Sequence, residues 1–202
     1  MFKKLVATLA LLSAAAAVAG LGTYATFTST TSATQSALTT GVVQIGLGAS
    51  GPANRLTLGA SGILPGDTMQ RAVDLSNTAS AGNDALASIT LTTTASPSSA
   101  LDTDATNGLQ MTIDSCSQAW TESGTSPAYT YTCGGTTKSV LASRAVIGAN
   151  LALSNLASLA SATTDHLRVT LSLPQSAPNT MQNISDQLTF AFTGTQRAGT
   201  SK

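Results

Sequence analysis

In the last third of the chain, apolar side chains take every second position: Leu167, Val169, Leu171 and Leu173 in HLRVTLSLP, then Leu188, Phe190 and Phe192 in QLTFAFTGTQ. Successive side chains of a strand point to opposite faces, so each run carries one face that must be buried and one that need not be. The same period runs through Met69, Arg71, Val73 and Leu75, through Ala85, Ala87, Ile89 and Leu91, and through Leu109, Met111 and Ile113. Disordered Thr/Ser-rich text has no reason to keep such a period. The segment Ala85 to Thr93 has no charge after Asp84, which predicts an interior strand rather than an exposed edge. Further short strands are expected at Leu38 to Leu47, Arg55 to Leu58 and Tyr129 to Cys133. Seven to nine strands separated by Gly/Pro turns, such as ILPGD at 63–67, predict an all-β sandwich. Between Val140 and Ala160 the period loosens, and a strand followed by a short helix around 149–160 is expected. Ser96 to Gly108 is expected to be a polar loop, and PQSAPNTMQNIS, with two prolines, a surface connection.

The N-terminus obeys a different logic. Lys3 and Lys4 precede an uncharged apolar run from Leu5 to Gly22, which then gives way to Thr/Ser-rich text. A basic start, an Ala/Leu core and small residues near Ala25 have the form of an export signal. Cleavage is expected between Ala25 and Thr26, with a site near Ala19 as one alternative. An uncleaved anchor is another, because the run approaches the ~18 residues that make a spanning helix credible. Cleavage divides the chain into a signal peptide (1–25), an N-terminal segment (26–37) and a body (38–202). The segment consists of Thr26, Phe27, Thr28, Ser29, Thr30, Thr31, Ser32, Ala33, Thr34 and Gln35, followed by a short link. Thr favours strands, but neither face of this segment is apolar apart from Phe27, so it is ready to pair and weakly committed to a register.

Removing the signal leaves 202 − 25 = 177 residues, enough for one domain with a core. Without Lys3 and Lys4 the basic count is 9 − 2 = 7 against nine acids, a balance near −2. It gives no electrostatic case for nucleic acid or for an anionic membrane surface. Cys116 and Cys133 are the only cysteines, and an exported chain meets oxidising conditions, so a disulfide is expected across 133 − 116 − 1 = 16 intervening residues. A metal pair or a catalytic thiol would each want a neighbouring histidine, which is missing. Trp120, inside that loop, is expected to pack on the bridge.

Three blocks carry a family resemblance. The first is GLGTYATFTSTTSATQSALTTGVVQI, with Gly22, Thr23, Ala25 and Phe27, then Thr39, Gly41, Val43 and Ile45. The second is the turn ILPGD leading to a strand and Asn77, with the following glycine displaced to Gly82. The third is LRVTLSLPQSAPNTMQNISDQLTFAFTGTQRAG. In this order they resemble the TasA/camelysin family of Gram-positive bacteria, in its actinobacterial TasA-like branch. The resemblance implies a jelly-roll-like sandwich, processing by a SipW-type signal peptidase, and a secreted protein of the extracellular matrix or cell surface. It also implies head-to-tail polymerisation with other copies, aided by a matrix accessory protein. In that scheme Thr26 to Gln35 is a donor strand inserted into the next subunit, with Phe27 as its anchor, and no stable membrane insertion follows cleavage. A monomeric surface binding module is the alternative.

The family resemblance also brings a metallo-endopeptidase into view. A zinc peptidase needs imidazole or carboxylate ligands and a carboxylate to take a proton from the metal-bound water. The chain has one histidine, His166, and one glutamate, Glu122, with no HExxH. His166 precedes the inward-facing Leu167 and is expected to face outward. Asp102 and Asp104 lie in DTDATNG, which has the alternating oxygens of a calcium loop. Its glycine falls one place late, and Ile113 stands where a bidentate Glu would be needed. No catalytic residues, metal ligands or cofactors are assigned, and the reading is of a non-enzyme.

Overall fold

Strands with one apolar face can bury it only against another such face, and the chain does this by crossing repeatedly between two sheets. The computed structural model describes residues 28–32, 45–47, 51–52, 54–56, 58–61, 63–78, 85–181 and 183–198. Its strands are β1 (Thr28–Ser32), β2 (Ile45–Leu47), β3 (Leu58–Ser61), β4 (Thr68–Asn77), β5 (Leu86–Ala95) and β6 (Gln110–Cys116). They continue with β7 (Thr121–Ser123), β8 (Thr130–Thr132), β9 (Thr137–Ala145), β10 (Gly148–Ala152), β11 (Thr163–Ser172) and β12 (Ser185–Gln196). One sheet runs β1-β12-β5-β10, with β3 also on β12, and the other runs β2-β4-β11-β6-β9. The eight strands β3-β12-β5-β10 and β4-β11-β6-β9 are the two four-stranded layers of a jelly roll, all antiparallel. The expected all-β sandwich is therefore present, and β5 lies between β12 and β10 as its uncharged sequence predicts.

The core is the sum of the inward positions. Val73 and Leu75 on β4, Ile89 and Leu91 on β5, and Met111 and Ile113 on β6 are buried. So are Leu167, Val169 and Leu171 on β11, and Phe190 and Phe192 on β12. One expected inward residue is displaced. Ser88 pairs with Thr195 and Leu86 with Gln196, so Ala87 is the extra residue of a β-bulge and is exposed, while Leu86 is buried in its place. The short strand expected at Arg55 to Leu58 begins instead at Leu58.

Two local expectations are corrected. No helix forms over 149–160: β10 ends at Ala152, and the next backbone donors are claimed from outside. Leu153 N bonds to Ile89 O, and Ser154 N to Val140 O. The Asp165 carboxylate then takes Ala157 N at 2.9 Å and Ser158 N at 2.7 Å. Asn155 sits at φ 57°, and Leu153 and Leu156 reach the core from this irregular segment. Conversely, the polar loop contains one helical turn, α1 (Ala100–Thr103). Ser99 accepts from Leu101 N, and the Asp102 carboxylate accepts from Ser99 N, the reciprocal arrangement of a capping box. The 63–67 turn forms as expected, with Asp67 N bonded to Leu64 O and Gly66 at φ 94°. Before Met181, the proline-rich connection holds a single 3-10 turn, Asn179–Met181. The expected signal helix lies outside the described residues.

Alternation also buries a charge. Asp186, two residues before Leu188, is fully enclosed and neither carboxylate oxygen has a hydrogen-bond partner. Burial pushes its carboxyl above the usual range, and the neighbouring Asp102 carboxylate pushes it the same way. A raised acid pKa in the folded state means that the fold binds more protons than the unfolded chain. Stability then falls as pH rises from about 4, the ordinary aspartate value, through the folded pKa. Asp186→Asn keeps the shape, removes the charge and supplies N–H donors facing Asp102. It is expected to raise stability at neutral pH by on the order of 1 to 2 kcal/mol, and the gain should shrink toward pH 4. Urea unfolding at the two pH values checks this, and a destabilised variant at neutral pH would refute the assignment.

Candidate functional site

The N-terminal Thr/Ser segment has one place in this fold. Thr28 to Ser32, β1, lie antiparallel along the outer edge of β12, with Thr28 opposite Thr195, Thr30 opposite Thr193 and Ser32 opposite Ala191. The opposite edge of β12 is filled by β5 over almost its whole length. Among the described residues β1 pairs with β12 alone, so backbone hydrogen bonds along one side attach it to the sheet. Of the ten segment residues, Thr28, Ser29, Thr30, Thr31 and Ser32 are thus in a strand. Thr26, Phe27, Ala33, Thr34, Gln35 and the Ala25 cleavage position lie outside the described residues, as does most of the strand expected over 38–47, of which β2 is the end.

A second cluster sits on the outer face of the other sheet. The Cys116–Cys133 disulfide forms as expected, its Cα atoms 5.7 Å apart, and Trp120 packs with Cys116, Tyr131 and Ala72. The strands flanking it do not pair with each other as a disulfide-closed hairpin. β6 lies between β11 and β9, while β8 pairs with β7, so the bridge fastens a separate small hairpin to the sheet. Trp120 Nε1 donates to His166 O at 2.9 Å, and the Arg168 guanidinium stacks 4.4 Å from the Trp120 ring. Arg55 makes a two-point ion pair with Glu122, which also accepts from the Tyr131 hydroxyl at 2.7 Å. Arg55 holds the Glu122 carboxyl below its ordinary value. Burial, reinforced by Glu122, pushes the Tyr131 hydroxyl up to about 12. Arg55, Glu122, Tyr131 and Trp120 thus spend their polar groups on contacts that fix the hairpin.

The residues considered as metal ligands are dispersed. His166 Nδ1 meets Asp74 Oδ1 at 2.6 Å on the outer face, where the pairing of β11 with β4 sets the two opposite each other. Asp104 is held within its own turn. It accepts from Thr106 N, Asn107 N and Asn107 Nδ2 in a local turn, which holds its carboxyl below the usual range, whereas Asp102 serves the capping box. Among the described residues no three His, Cys, Asp or Glu side chains stand close enough to hold a metal. An open cavity of about 460 Å³ lies beside His166, walled by Ser115, Ser117, Thr136, Lys138, Asn155 and Thr164. Cys116, Leu156, Ala157 and Asp165 complete a wall that is part polar and part apolar.

Sequence reasoning missed the Asp74–His166 and Arg55–Glu122 pairs. The first was accessible in principle, since aligning the alternating runs of β4 and β11 sets Asp74 against His166. The second joins residues 67 apart through β7, a three-residue strand that the sequence pattern does not announce.

The family model for camelysin metallo-endopeptidase matches residues 1–201 of the chain. No curated protein and no solved structure matches it.

Proposed function

The chain belongs to the camelysin metallo-endopeptidase family, and from that premise we propose that it is a secreted structural protein whose freed N-terminal strand joins copies into extracellular fibres. The observation that carries this reading is β1, a polar edge strand held by its backbone along one side of β12. Strand addition to a sheet edge draws affinity from main-chain hydrogen bonds, so a hydroxyl-rich strand with no apolar face suits it. A strand given by each copy to the next makes a heterologous contact that does not close, and the product is a filament. Residues 1–25 are the export signal, removed by a SipW-type signal peptidase, 26–37 the strand with its link, and 38–202 the sandwich. Fibres would form in the matrix or at the cell surface of a Gram-positive bacterium, with an accessory matrix protein to start them.

The zinc implied by the family name does not fit these residues. The chain's single histidine is engaged by Asp74 and its single glutamate by Arg55. Both cysteines are in the disulfide. A site would have to be built from aspartates, and among the described residues no three of them stand together; Asp102 and Asp186 are neighbours without a third ligand. Activity on a protein substrate that a chelator abolishes would overturn this reading. The cavity beside His166 is the observation that favours the second reading, a monomeric secreted or cell-surface binding module.

N-terminal sequencing of the secreted chain, with size-exclusion chromatography and negative-stain imaging of the same material, tests the proposal. Thr26 as first residue and filaments are the expected result. Monomers alone would favour the binding module, and a retained hydrophobic leader would remove the basis of the fibre.

A further inference from the structure

The cavity beside His166 lies where β6 ends and where β9 and β11 begin. The ladders there set Ser115 opposite Leu167 on one side and opposite Lys138 on the other, and residues directly opposite share a face. Leu167 is fully buried and Ser115 nearly so. The exposed Lys138 therefore stands on the core-facing side of edge strand β9, at the rim of the sandwich. Segment 155–157 contributes the remaining wall, and it is fastened at both ends. Asn155 Nδ2 donates to Ser139 O at 2.8 Å, and Ala157 N and its neighbour Ser158 N donate to the Asp165 carboxylate. The wall is in place before any ligand arrives, as is usual for small-molecule sites.

Of the titratable side chains lining this space, two are spent on the protein itself. Asp165 is buried and gives one oxygen to each of its backbone donors, while His166 Nδ1 meets Asp74 Oδ1. The Lys138 ammonium has no ion-pair partner among the described residues. Ser115 and Ser117 add hydroxyls to the same wall, and Ser117 Oγ accepts from Thr136 N, so its own proton is left to give. We propose that this cavity binds a small monocarboxylate with an apolar body, its charge on Lys138 and its hydrocarbon against Leu156 and Ala157. One ammonium matches the single charge of a carboxylate. A phosphate carries nearly two and calls for a guanidinium fork or a helix N-terminus, and neither is among the wall residues. No Trp, Tyr or Phe lines the cavity to give a sugar or a base a face for stacking. A volume of about 460 Å³ suits a small molecule. The inference rests on the binding reading of this cavity and not on the fibre, because no wall residue belongs to β1 or β12.

The same chemistry is offered by a free aliphatic acid and by the C-terminal residue of a peptide. Calorimetric titration of the cleaved chain with isocaproate and with N-acetyl-leucine, each beside its neutral amide, tests the site and separates the two sources. At least one acid is expected to bind roughly tenfold or more tightly than its amide, which is what a hydrogen bond to a charged group is worth. The tighter of the two acids identifies the source. Lys138→Gln is expected to bring the acid's affinity down to that of the amide, and Lys138→Arg to restore most of the difference, since it returns the charge. Lys138 is exposed, so both variants should fold, and an unchanged far-UV circular dichroism spectrum verifies it. Acid and amide bound alike, or an acid preference that survives Lys138→Gln, would overturn the carboxylate assignment and leave the cavity as a site for some other ligand. Failure of all four probes to bind would overturn it too, and the binding-module reading would then stand or fall on the monomer test above.

Discussion

A mature chain lacking Thr26 to Gln35 is expected to fold and to remain monomeric at concentrations where the intact mature chain forms fibres. Its core should survive, because the buried apolar residues among those described begin at Leu56, and β12 keeps β5 on one side and β3 on the other. What is lost is a ladder of five residue pairs at an edge. The exposed row of N–H and C=O groups from Ala191 to Thr195 then becomes an unpaired edge with no strand to give in return. A synthetic peptide of residues 26–35 is expected to bind this truncated chain and to block its incorporation at the ends of wild-type fibres. Circular dichroism, sedimentation and negative-stain imaging read the three outcomes. Fibres from the truncated chain would end the donor role of the segment. A truncated chain that unfolds but recovers its sheet signal with the peptide would still place the strand on β12.

The parts of the fold written in a simple period were legible, and the parts set by distant partners were not. Leu167 to Leu173 and Leu188 to Phe192 alternate cleanly and are β11 and β12, each buried on the expected side. The same rule, carried two residues back from Leu188, buries Asp186. A charged residue is carried inward there because the strand face is fixed by its stronger apolar members. Ala87 breaks parity because a bulge opposite Thr195 adds a residue, and nothing local in the sequence announces it. The leucines at 151, 153, 156 and 159 have mixed spacing, and the backbone N–H groups of residues 153, 154, 157 and 158 among them are claimed by Ile89, Val140 and the Asp165 carboxylate, partners outside the segment. For the candidate site, strand propensity in Thr28 to Ser32 was visible. Their position on β12 was not, since a segment with no apolar face does not select a register by itself.

Replacing both Cys116 and Cys133 by serine is expected to free the β7–β8 hairpin while leaving the jelly roll folded. The bridge closes a loop of 16 intervening residues, for which chain-entropy reasoning gives about 3 kcal/mol. That stabilisation acts on a local unit. Trp120, Tyr131 and Cys116 form a cluster with Ala72 on the outside of the sheet, separate from the core between the sheets. Without the bridge the hairpin keeps its Arg55–Glu122 ion pair, the Tyr131 hydrogen bond and the Arg168–Trp120 stacking. The ion pair is partly exposed, and such surface pairs add little to stability. Local opening then falls below global unfolding in free energy, and the transition ceases to be two-state. Trp120 is the chain's only tryptophan, so its fluorescence reports the hairpin while far-UV circular dichroism reports the sheets. In the wild type the two denaturation midpoints should coincide; in the double serine variant the fluorescence midpoint should move to lower denaturant and the dichroism midpoint much less. A joint shift of both would mean that the hairpin is part of the cooperative core and not a piece fastened onto it.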